Sequence, residues 1–203
     1  KNDYELFSYN SDNLNLNNQN SIEKFINNFK NNFNHIVFSA GINKLTPFEK
    51  INKENIYNAL NINIVNFLVL LSNLIKTKIS NKNSSIIMIS SLYATFGRKN
   101  RMPYVLSKHA MHGACKTLAI ELGKKGIRVN TISPGFIDTK LTRKNLSEKE
   151  ILKVKNHIPL GRMGVAKNIA DTVKFLLSRQ AAYISGTDIV VDGGFSAGGF
   201  MGV

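Results

Sequence analysis

Short runs of β-branched and apolar residues alternate along the chain with longer segments in which apolar positions recur every three to four residues. This alternation is typical of a parallel β-sheet covered by helices on both faces. We predict strands at residues 5–8, 35–39, 85–90, 128–133 and 188–192. We predict helices at residues 22–33, 53–76, 103–122, 147–155 and 167–178. The expected fold is therefore α/β, with a doubly wound parallel sheet of the Rossmann type.

The size of the chain predicts one domain. With 203 residues, 43% of them hydrophobic, the chain can bury one sizeable core, so we expect a single domain over residues 1–203. The longest apolar stretch, residues 62–71, contains Asn63 and Asn66 and is shorter than the roughly 18 residues of a membrane span. We therefore expect a core helix there and no membrane partner.

Cysteine content and the first residues bear on the compartment. Cys115 is the only cysteine, which excludes a disulfide within the chain and predicts a small packing residue. The first residues have neither the apolar run nor the cleavage site of a secretory signal. Both observations favour a cytoplasmic location.

The formal net charge of +14 raises the question of nucleic-acid binding. The lysines are scattered singly, and no segment combines basic residues with regularly interleaved aromatic residues. We therefore expect no nucleic-acid partner. A diffuse positive surface still favours an acidic partner or an anionic substrate.

The pair Tyr104 and Lys108 is the first candidate for chemistry. Its four-residue spacing on a predicted helix puts both side chains on one face. An ammonium about 4 Å from a phenol is worth roughly 4 kcal/mol at an effective dielectric near 20. This corresponds to about three pKa units from the ordinary value of about 10. We therefore expect Lys108 to bring the pKa of Tyr104 close to neutrality, where general acid–base catalysis is most effective.

The spacing alone is a weak signal. The chain has six tyrosines among many lysines, so about half a chance occurrence is expected. An exposed pair on a solvated helix face is the alternative interpretation.

Other motifs stand in order around the pair. A predicted strand ends at Ser91, thirteen positions before Tyr104, and Asn63 lies in the preceding helix within Leu-Asn-Ile-Asn. Residues 128–139 combine a strand with a Pro-Gly turn and a threonine, and residues 183–194 end in Asp-Gly-Gly. In this order and at these separations, the motifs resemble those of the short-chain dehydrogenase/reductase family over nearly the whole chain.

The resemblance implies four catalytic residues. Tyr104 would be the acid–base, assisted by Lys108, and Ser91 would donate a hydrogen bond to the carbonyl oxygen. Asn63 would hold a water that links Lys108 to solvent, and a polar residue within an apolar helix needs a partner in any case. A helix cap or turn residue is the alternative for the serine, and Ser90 fits that role better.

The resemblance also implies a nicotinamide cofactor. The turns after the strands would bind this cofactor through main-chain groups and through contacts to a phosphate. Gly and Pro in these turns allow the backbone to approach the cofactor closely. The cofactor-binding residues would be Asn15, Leu16, Ala40, Gly41, Ile89, Tyr104, Lys108, Pro134, Gly135, Ile137 and Thr139. Residues 9–11 supply no acid that would repel a 2′-phosphate, so NADP is favoured over NAD.

The sequence departs from the family at three places. The family's glycine-rich Thr-Gly-x-x-x-Gly-x-Gly turn is not found, so we expect an N-terminally incomplete domain that lacks its first strand and helix, about 25 to 30 residues. Phe38 and Ser39 replace two asparagines before Ala40 and Gly41, which removes hydrogen bonds within the sheet. Asn15 replaces an aspartate and can make comparable hydrogen bonds to the adenine.

The resemblance is closest to 3-oxoacyl-(acyl-carrier-protein) reductases, notably in residues 159–164 and 183–194. An NADPH-dependent reductase of 3-oxoacyl thioesters is thus expected, with Lys82 and Lys125 where those enzymes dock an acyl carrier protein. A surface lysine is more often merely solvated. Two alternatives stay open: a dehydrogenase of a sugar or another small alcohol, and a non-catalytic homologue.

Residues 140–157 would select the substrate. The family also implies a homo-oligomer, either a tetramer or a dimer. His109 and His112 are three positions apart on the same predicted helix, but they have no clustered carboxylates or cysteines around them, so we expect no metal site.

Overall fold

The computed structural model describes residues 5–29, 32–77, 79 and 83–198. Within these residues lies one parallel sheet whose four strands neighbour each other in chain order. The strands are β1 (His35–Phe38), β2 (Ser84–Ile89), β3 (Ile127–Pro134) and β4 (Asp188–Val191). All four were predicted to within about two residues.

Helices connect the strands and cover both faces of the sheet. They are α1 (Gln19–Asn28), α2 (Lys53–Leu60), α3 (Asn66–Thr77), α4 (Met102–Gly123), α5 (Lys140–Asn145), α6 (Glu148–Asn156) and α7 (Ala166–Leu177). Short 3-10 turns lie at Phe48–Lys50, Leu92–Ala94, Arg179–Ala181 and Phe195–Ala197. The prediction of a doubly wound α/β fold is confirmed.

Alternation along the strands explains the two layers of helices. Ile86 and Met88 of β2 pack with Val129 of β3 against α3 and α4. The intervening Ile87, together with Ile132 of β3, packs against α7. Because successive side chains of a strand point to opposite faces, a continuous apolar run is what a strand buried on both faces requires.

The predicted strand at residues 5–8 is wrong. These residues are extended but exposed, and they pair with no strand in the described part of the chain. Phe7 instead meets the ring of Phe29 edge to face, with 6.0 Å between ring centroids. An apolar pattern supplies side chains for a strand, but a strand also needs a neighbour that pairs its backbone groups.

Two helix predictions also need correction. Residues 22–33 were expected to be one helix, yet α1 begins at Gln19 and ends at Asn28, and residues 30–31 lie outside the described residues. The short helix α5 was not predicted. It is capped at its start by Thr139, whose hydroxyl accepts from the Thr142 amide.

The predicted helix 53–76 is one helical run interrupted by a π turn at Asn61–Val65. Its length and mean hydropathy of 1.5 would suffice for a membrane span. In the structure, Ile64, Phe67 and Leu71 are buried in the cluster beneath α4. These contacts account for part of the apolar content, whereas Val65 and Val69 of the same run are exposed.

Candidate active site

The carboxyl ends of three parallel strands bring the predicted residues to one edge of the sheet. Ala40 and Gly41 follow β1, Ser91 follows β2, and Gly135 follows β3. Because β1, β2 and β3 are parallel neighbours in register, these ends lie side by side. A crevice outside the carboxyl ends of strands is the usual ligand site of open α/β sheets.

Helix α4 carries Tyr104 and Lys108 past the end of β2. Pro103 stands in the first turn of the helix, where its missing N–H costs nothing. The Lys108 ammonium donates to the Ile89 carbonyl at 2.8 Å, and its Nζ lies 5.5 Å from the centre of the Tyr104 ring. The helix thereby holds Lys108 against the last residue of β2, with the Tyr104 ring beside it.

The expected lowering of the Tyr104 pKa is wrong for this structure. Burial raises the pKa of Tyr104 above its ordinary value, and this outweighs the lowering effects of the Ser91 hydroxyl and the Arg101 charge. Burial also lowers the pKa of Lys108 to about 8. The reason is desolvation, which disfavours both charged forms, while Nζ points to a carbonyl oxygen. Tyr104 is therefore a neutral proton donor at neutral pH.

Ser91 lies beside the phenol at the start of the Leu92–Ala94 turn. Its hydroxyl is close enough to Tyr104 to lower the pKa of that residue, and its oxygen accepts from the Tyr93 amide at 3.2 Å. Ser91 thus caps this turn, although the sequence favours Ser90 for that role. An accepting oxygen leaves the hydroxyl proton available for donation.

Asn63 is fully buried in the middle of the π turn and has a partner for each polar group. Its Oδ1 accepts from the Ile42 amide at 2.8 Å, while Nδ2 donates to the Ile42 carbonyl at 3.0 Å and to Ser107 Oγ at 2.8 Å. Ser107 in turn donates to the Tyr104 carbonyl at 2.7 Å. Sequence reasoning predicted a partner for Asn63 but missed Ser107, which stands one residue before Lys108.

Gly41 leaves a space between Asn63 and Lys108. A Cβ at this position would lie 3.3 Å from Asn63 Oδ1 and 3.8 Å from Lys108 Nζ. A Cβ there would crowd the Asn63 oxygen and would contact Lys108 Nζ at an ordinary van der Waals distance. The absent Cβ leaves the backbone at Gly41 open to the close approach that the predicted cofactor contact requires.

The turn after β3 is tight. The Gly135 amide donates to the Val191 carbonyl at 2.9 Å, and a Cβ on Gly135 would lie 2.6 Å from the Asp192 Cβ. Ile137 next forms a bridge to Gly164 that uses the carbonyl of Phe136 and the amide of Asp138. The amide and carbonyl of Ile137 itself take no part in this bridge, so they fit the predicted cofactor contact. Thr139 meanwhile caps α5.

Asn15 and Leu16 lie on the loop before α1. Asn15 Oδ1 accepts from the Asn17 amide at 2.9 Å, and the Leu16 carbonyl accepts from Asn66 Nδ2 on α3. The Leu16 side chain packs against the core that includes β1. Asn15, which is predicted to contact the adenine, therefore also stabilises a local turn through its side-chain oxygen.

Phe38, one of the substitutions noted in the sequence, has a clear packing consequence. The Phe38 ring stacks on Phe67 with 4.0 Å between centroids, so aromatic packing stands where the family's asparagine would form hydrogen bonds.

Cys115 is buried, as predicted, and burial raises the pKa of its thiol to about 11. The predicted docking residue Lys125 is exposed after α4, whereas Lys82 lies outside the described residues.

A polar cluster beneath α4 was not predicted. His112 Nε2 lies 3.3 Å from both Asp188 Oδ1 and Ser133 Oγ. Thr131 and Ser133 donate to the same carboxylate oxygen, at 2.8 and 2.9 Å. Although burial raises the pKa of Asp188, these bonds and His112 outweigh it and lower that pKa overall. One ring nitrogen contacts both partners, so the arrangement differs from a hydrolytic triad. No cluster of potential metal ligands is found among the described residues.

A family profile described as enoyl-(acyl carrier protein) reductase matches residues 12–196. The chain is 35% identical over 184 residues to the 3-oxoacyl-(acyl-carrier-protein) reductase FabG of Buchnera aphidicola subsp. Baizongia pistaciae, covering 89% of this chain and 75% of the relative. It is 37% identical over 159 residues to the Rickettsia conorii protein of that name, covering 78% and 66% of the two chains.

The fold of this chain is also similar to that of solved structures. A complex of 4-hydroxyisoleucine dehydrogenase with NADH superposes with a TM-score of 0.84 and 30% identity, covering 91% of this chain and 78% of that protein. A short chain dehydrogenase family protein from Francisella tularensis subsp. tularensis superposes with a TM-score of 0.84 and 29% identity, covering 91% and 80%. The chain thus spans about two thirds to four fifths of these proteins.

Proposed function

The chain belongs to the short-chain dehydrogenase/reductase family of NAD(P)-dependent oxidoreductases, and we propose that it interconverts a ketone and a secondary alcohol. The substrate we propose is a 3-oxoacyl thioester carried by an acyl carrier protein, with NADPH as the reductant. The relatives named as 3-oxoacyl-(acyl-carrier-protein) reductases support this substrate.

The observation that carries the proposal is the protonated phenol of Tyr104, placed next to Ser91 and Lys108. Burial raises the pKa of Tyr104, so the phenol holds its proton at neutral pH. Reduction of a ketone needs such a donor as negative charge develops on the carbonyl oxygen. The Ser91 hydroxyl and the Arg101 charge favour the phenolate that is left after the proton transfer, and the Lys108 ammonium lies 5.5 Å from the centre of its ring.

The other residues orient the substrate. Ser91 donates a hydrogen bond to the same carbonyl oxygen and so stabilises its developing charge. Ala40, Gly41, Pro134, Gly135, Ile137 and Thr139 line the edge where the nicotinamide cofactor would bind, and the bound cofactor would supply the hydride. Ile89 holds Lys108 in place through its carbonyl oxygen. Asn63 would bind the water that connects Lys108 to solvent.

A second candidate is a dehydrogenase of a small hydroxylated compound. The similarity to 4-hydroxyisoleucine dehydrogenase favours it, because that enzyme is named for a small alcohol substrate. The residues around the carbonyl would have the same roles, and only the substrate pocket would differ. We further propose a homo-oligomer in the cytoplasm.

The test is an absorbance assay at 340 nm with the whole native protein. The panel comprises acetoacetyl-acyl-carrier-protein, a free acetoacetyl thioester and a set of polyols and hydroxy acids, each with NADPH or NADP⁺ and with the NADH pair. We expect the highest kcat/KM for the carrier-bound thioester with NADPH. A higher value for a polyol or hydroxy acid would support the second candidate, and no turnover with any substrate would indicate a non-catalytic homologue.

A further inference from the structure

Arg101 is a buried cation without a hydrogen-bond partner. It precedes α4, three residues before Tyr104, and it is only 5% exposed. Its side chain donates no hydrogen bond to any residue in the described part of the chain, and its Nε is buried and unsatisfied. It is the only arginine among the described residues that is so deeply buried.

The surroundings of Arg101 connect it to the candidate active site. Its guanidinium carbon lies 5.8 Å from the centre of the Tyr93 ring, and that ring meets the Tyr104 ring edge to face at 6.3 Å. Glu150 on α6 is close enough to favour the charged form of Arg101, whereas Arg98 opposes it. Neither forms an ion pair with it.

Arg128 shows what a structural arginine looks like in this fold. Its two terminal nitrogens donate to the carbonyls of Leu176, at 2.7 Å, and of Ile184, at 3.4 Å. Those bonds tie β3 to the end of α7 and to the segment before β4. Arg101 ties nothing together in this way, and a buried charge without acceptors is unfavourable for folding.

We propose that Arg101 binds a second oxygen of the substrate, carried by an acyl or carboxyl group beside the carbonyl that Tyr104 protonates. The guanidinium donors suit such an oxygen, because arginine binds carboxyl and carbonyl oxygens through a planar set of N–H groups. This inference rests on the proposed function and narrows its substrate class. The enzyme would select 3-oxoacyl compounds or keto acids over simple ketones.

The experiment compares Arg101→Met with Arg128→Met, which removes an arginine that has acceptors. Three ketones are used: S-acetoacetyl-N-acetylcysteamine, acetoacetate and 2-pentanone, which lacks the second oxygen. For Arg101→Met we expect kcat/KM to fall about 10- to 100-fold for the compounds with a second oxygen, the range for a lost bond to a charged group. For 2-pentanone we expect a clearly smaller fall, which reflects only the lost effect of the Arg101 charge on Tyr104. Arg128→Met should keep the ratio between the ketones.

The two ketones with a second oxygen identify the group that Arg101 binds, through the size of their losses in kcat/KM. A larger loss for acetoacetate identifies a carboxylate, and a larger loss for the thioester identifies an acyl oxygen. An equal loss for all three ketones would overturn the proposal, because Arg101 would then only support the fold or the reacting groups.

Thermal unfolding provides a readout that needs no turnover. Arg101→Met is expected to unfold at the same or a higher temperature than the wild type, whereas Arg128→Met unfolds at a lower one. Saturating acetoacetate or S-acetoacetyl-N-acetylcysteamine should raise the unfolding temperature of the wild type but not of Arg101→Met. If this stabilisation occurs without any ketone reduction, the oxygen-binding site stands and the proposed function fails. If neither compound stabilises the wild type, or if Arg101→Met is stabilised equally, the site does not exist.

Discussion

The carboxamide of Asn63 donates a hydrogen bond of 2.8 Å to the hydroxyl of Ser107, across the contact between the π turn and α4. Both residues are fully buried. Ser107 also donates to the carbonyl of Tyr104, one turn earlier on the same helix. The bond therefore fixes the π turn to the helix that presents Tyr104 and Lys108, and π turns often occur at functional sites.

Replacing Ser107 by Ala should destabilise the protein. One N–H of Asn63 would remain buried without an acceptor, which costs about 1–3 kcal/mol. Chemical denaturation in urea measures the change in the free energy of unfolding. Thr117→Ala is the matched control, since this exposed hydroxyl of α4 also donates to a backbone carbonyl. We expect a change within about 0.5 kcal/mol for the control, and equal losses in the two variants would contradict the role of Ser107.

Replacing Lys108 by Met should stabilise the protein at pH 7. Burial lowers the pKa of Lys108 from its ordinary 10.5 to about 8, so the folded state disfavours the charged form by roughly 3 kcal/mol. The lost bond to the Ile89 carbonyl offsets roughly 1 kcal/mol of this. Urea denaturation at pH 7 should show a net gain of about 1–3 kcal/mol.

The pH dependence of this gain in stability follows from the direction of the Lys108 pKa shift. Between about pH 8 and 10.5 the folded wild type binds fewer protons at Lys108 than the unfolded chain does, so its stability rises with pH. The advantage of the Met variant is therefore complete below about pH 8 and shrinks towards pH 10.5. An advantage that is constant across this range would contradict the lowered pKa.

The two directions of the reaction should differ in their pH profiles. Burial raises the pKa of Tyr104, so the phenol stays protonated below its ordinary pKa of 10 and ketone reduction should not lose its donor between pH 6 and 9. Alcohol oxidation needs the phenolate, so its kcat should rise by about tenfold per pH unit across that range. Parallel profiles for the two directions would argue against Tyr104 as the titrating group.

Replacing Tyr104 by Phe should remove proton transfer and little else. The general acid contributes about 10²–10⁴-fold, so kcat should fall by that factor while the unfolding transition changes little. Tyr183→Phe is the control, because Tyr183 is fully exposed and should retain full activity. A Tyr104→Phe variant as active as the wild type would refute the proposed mechanism.

Glycine positions provide a structural test of the turn after β3. Gly135→Ala would put a Cβ 2.7 Å from the Asp192 Cα, and the backbone there would have to shift. We expect a loss of about 1–3 kcal/mol, the range for overpacking. Gly113→Ala on α4 meets nothing within 4 Å and should stabilise the helix by about 0.5–1 kcal/mol. Differential scanning calorimetry of both variants checks the opposite signs.

Sequence alone determined the four strands of the sheet and most of the helices, although it also predicted a strand at residues 5–8 that does not form. The strands β2 and β3 are almost completely buried, and the apolar run of β2 at residues 86–89 is recognisable because a strand covered on both faces carries apolar side chains on both of them. The prediction that Tyr104 and Lys108 lie on one face of a helix is also confirmed, because residues four positions apart are neighbours on a helix. These features depend on local geometry, which a linear pattern records directly.

Only the tertiary structure decided the environment of the reacting groups. Lys108 was expected to lower the pKa of Tyr104, but desolvation by surrounding elements raises it instead, and Lys108 bonds to Ile89. Ser107, whose hydroxyl accepts from Asn63, is 44 residues away in the chain. Whether Arg101 finds a hydrogen-bond acceptor likewise depends on which residues the fold places around it. Burial and hydrogen-bond partners arise from residues distant in the chain, so no local pattern could have shown them.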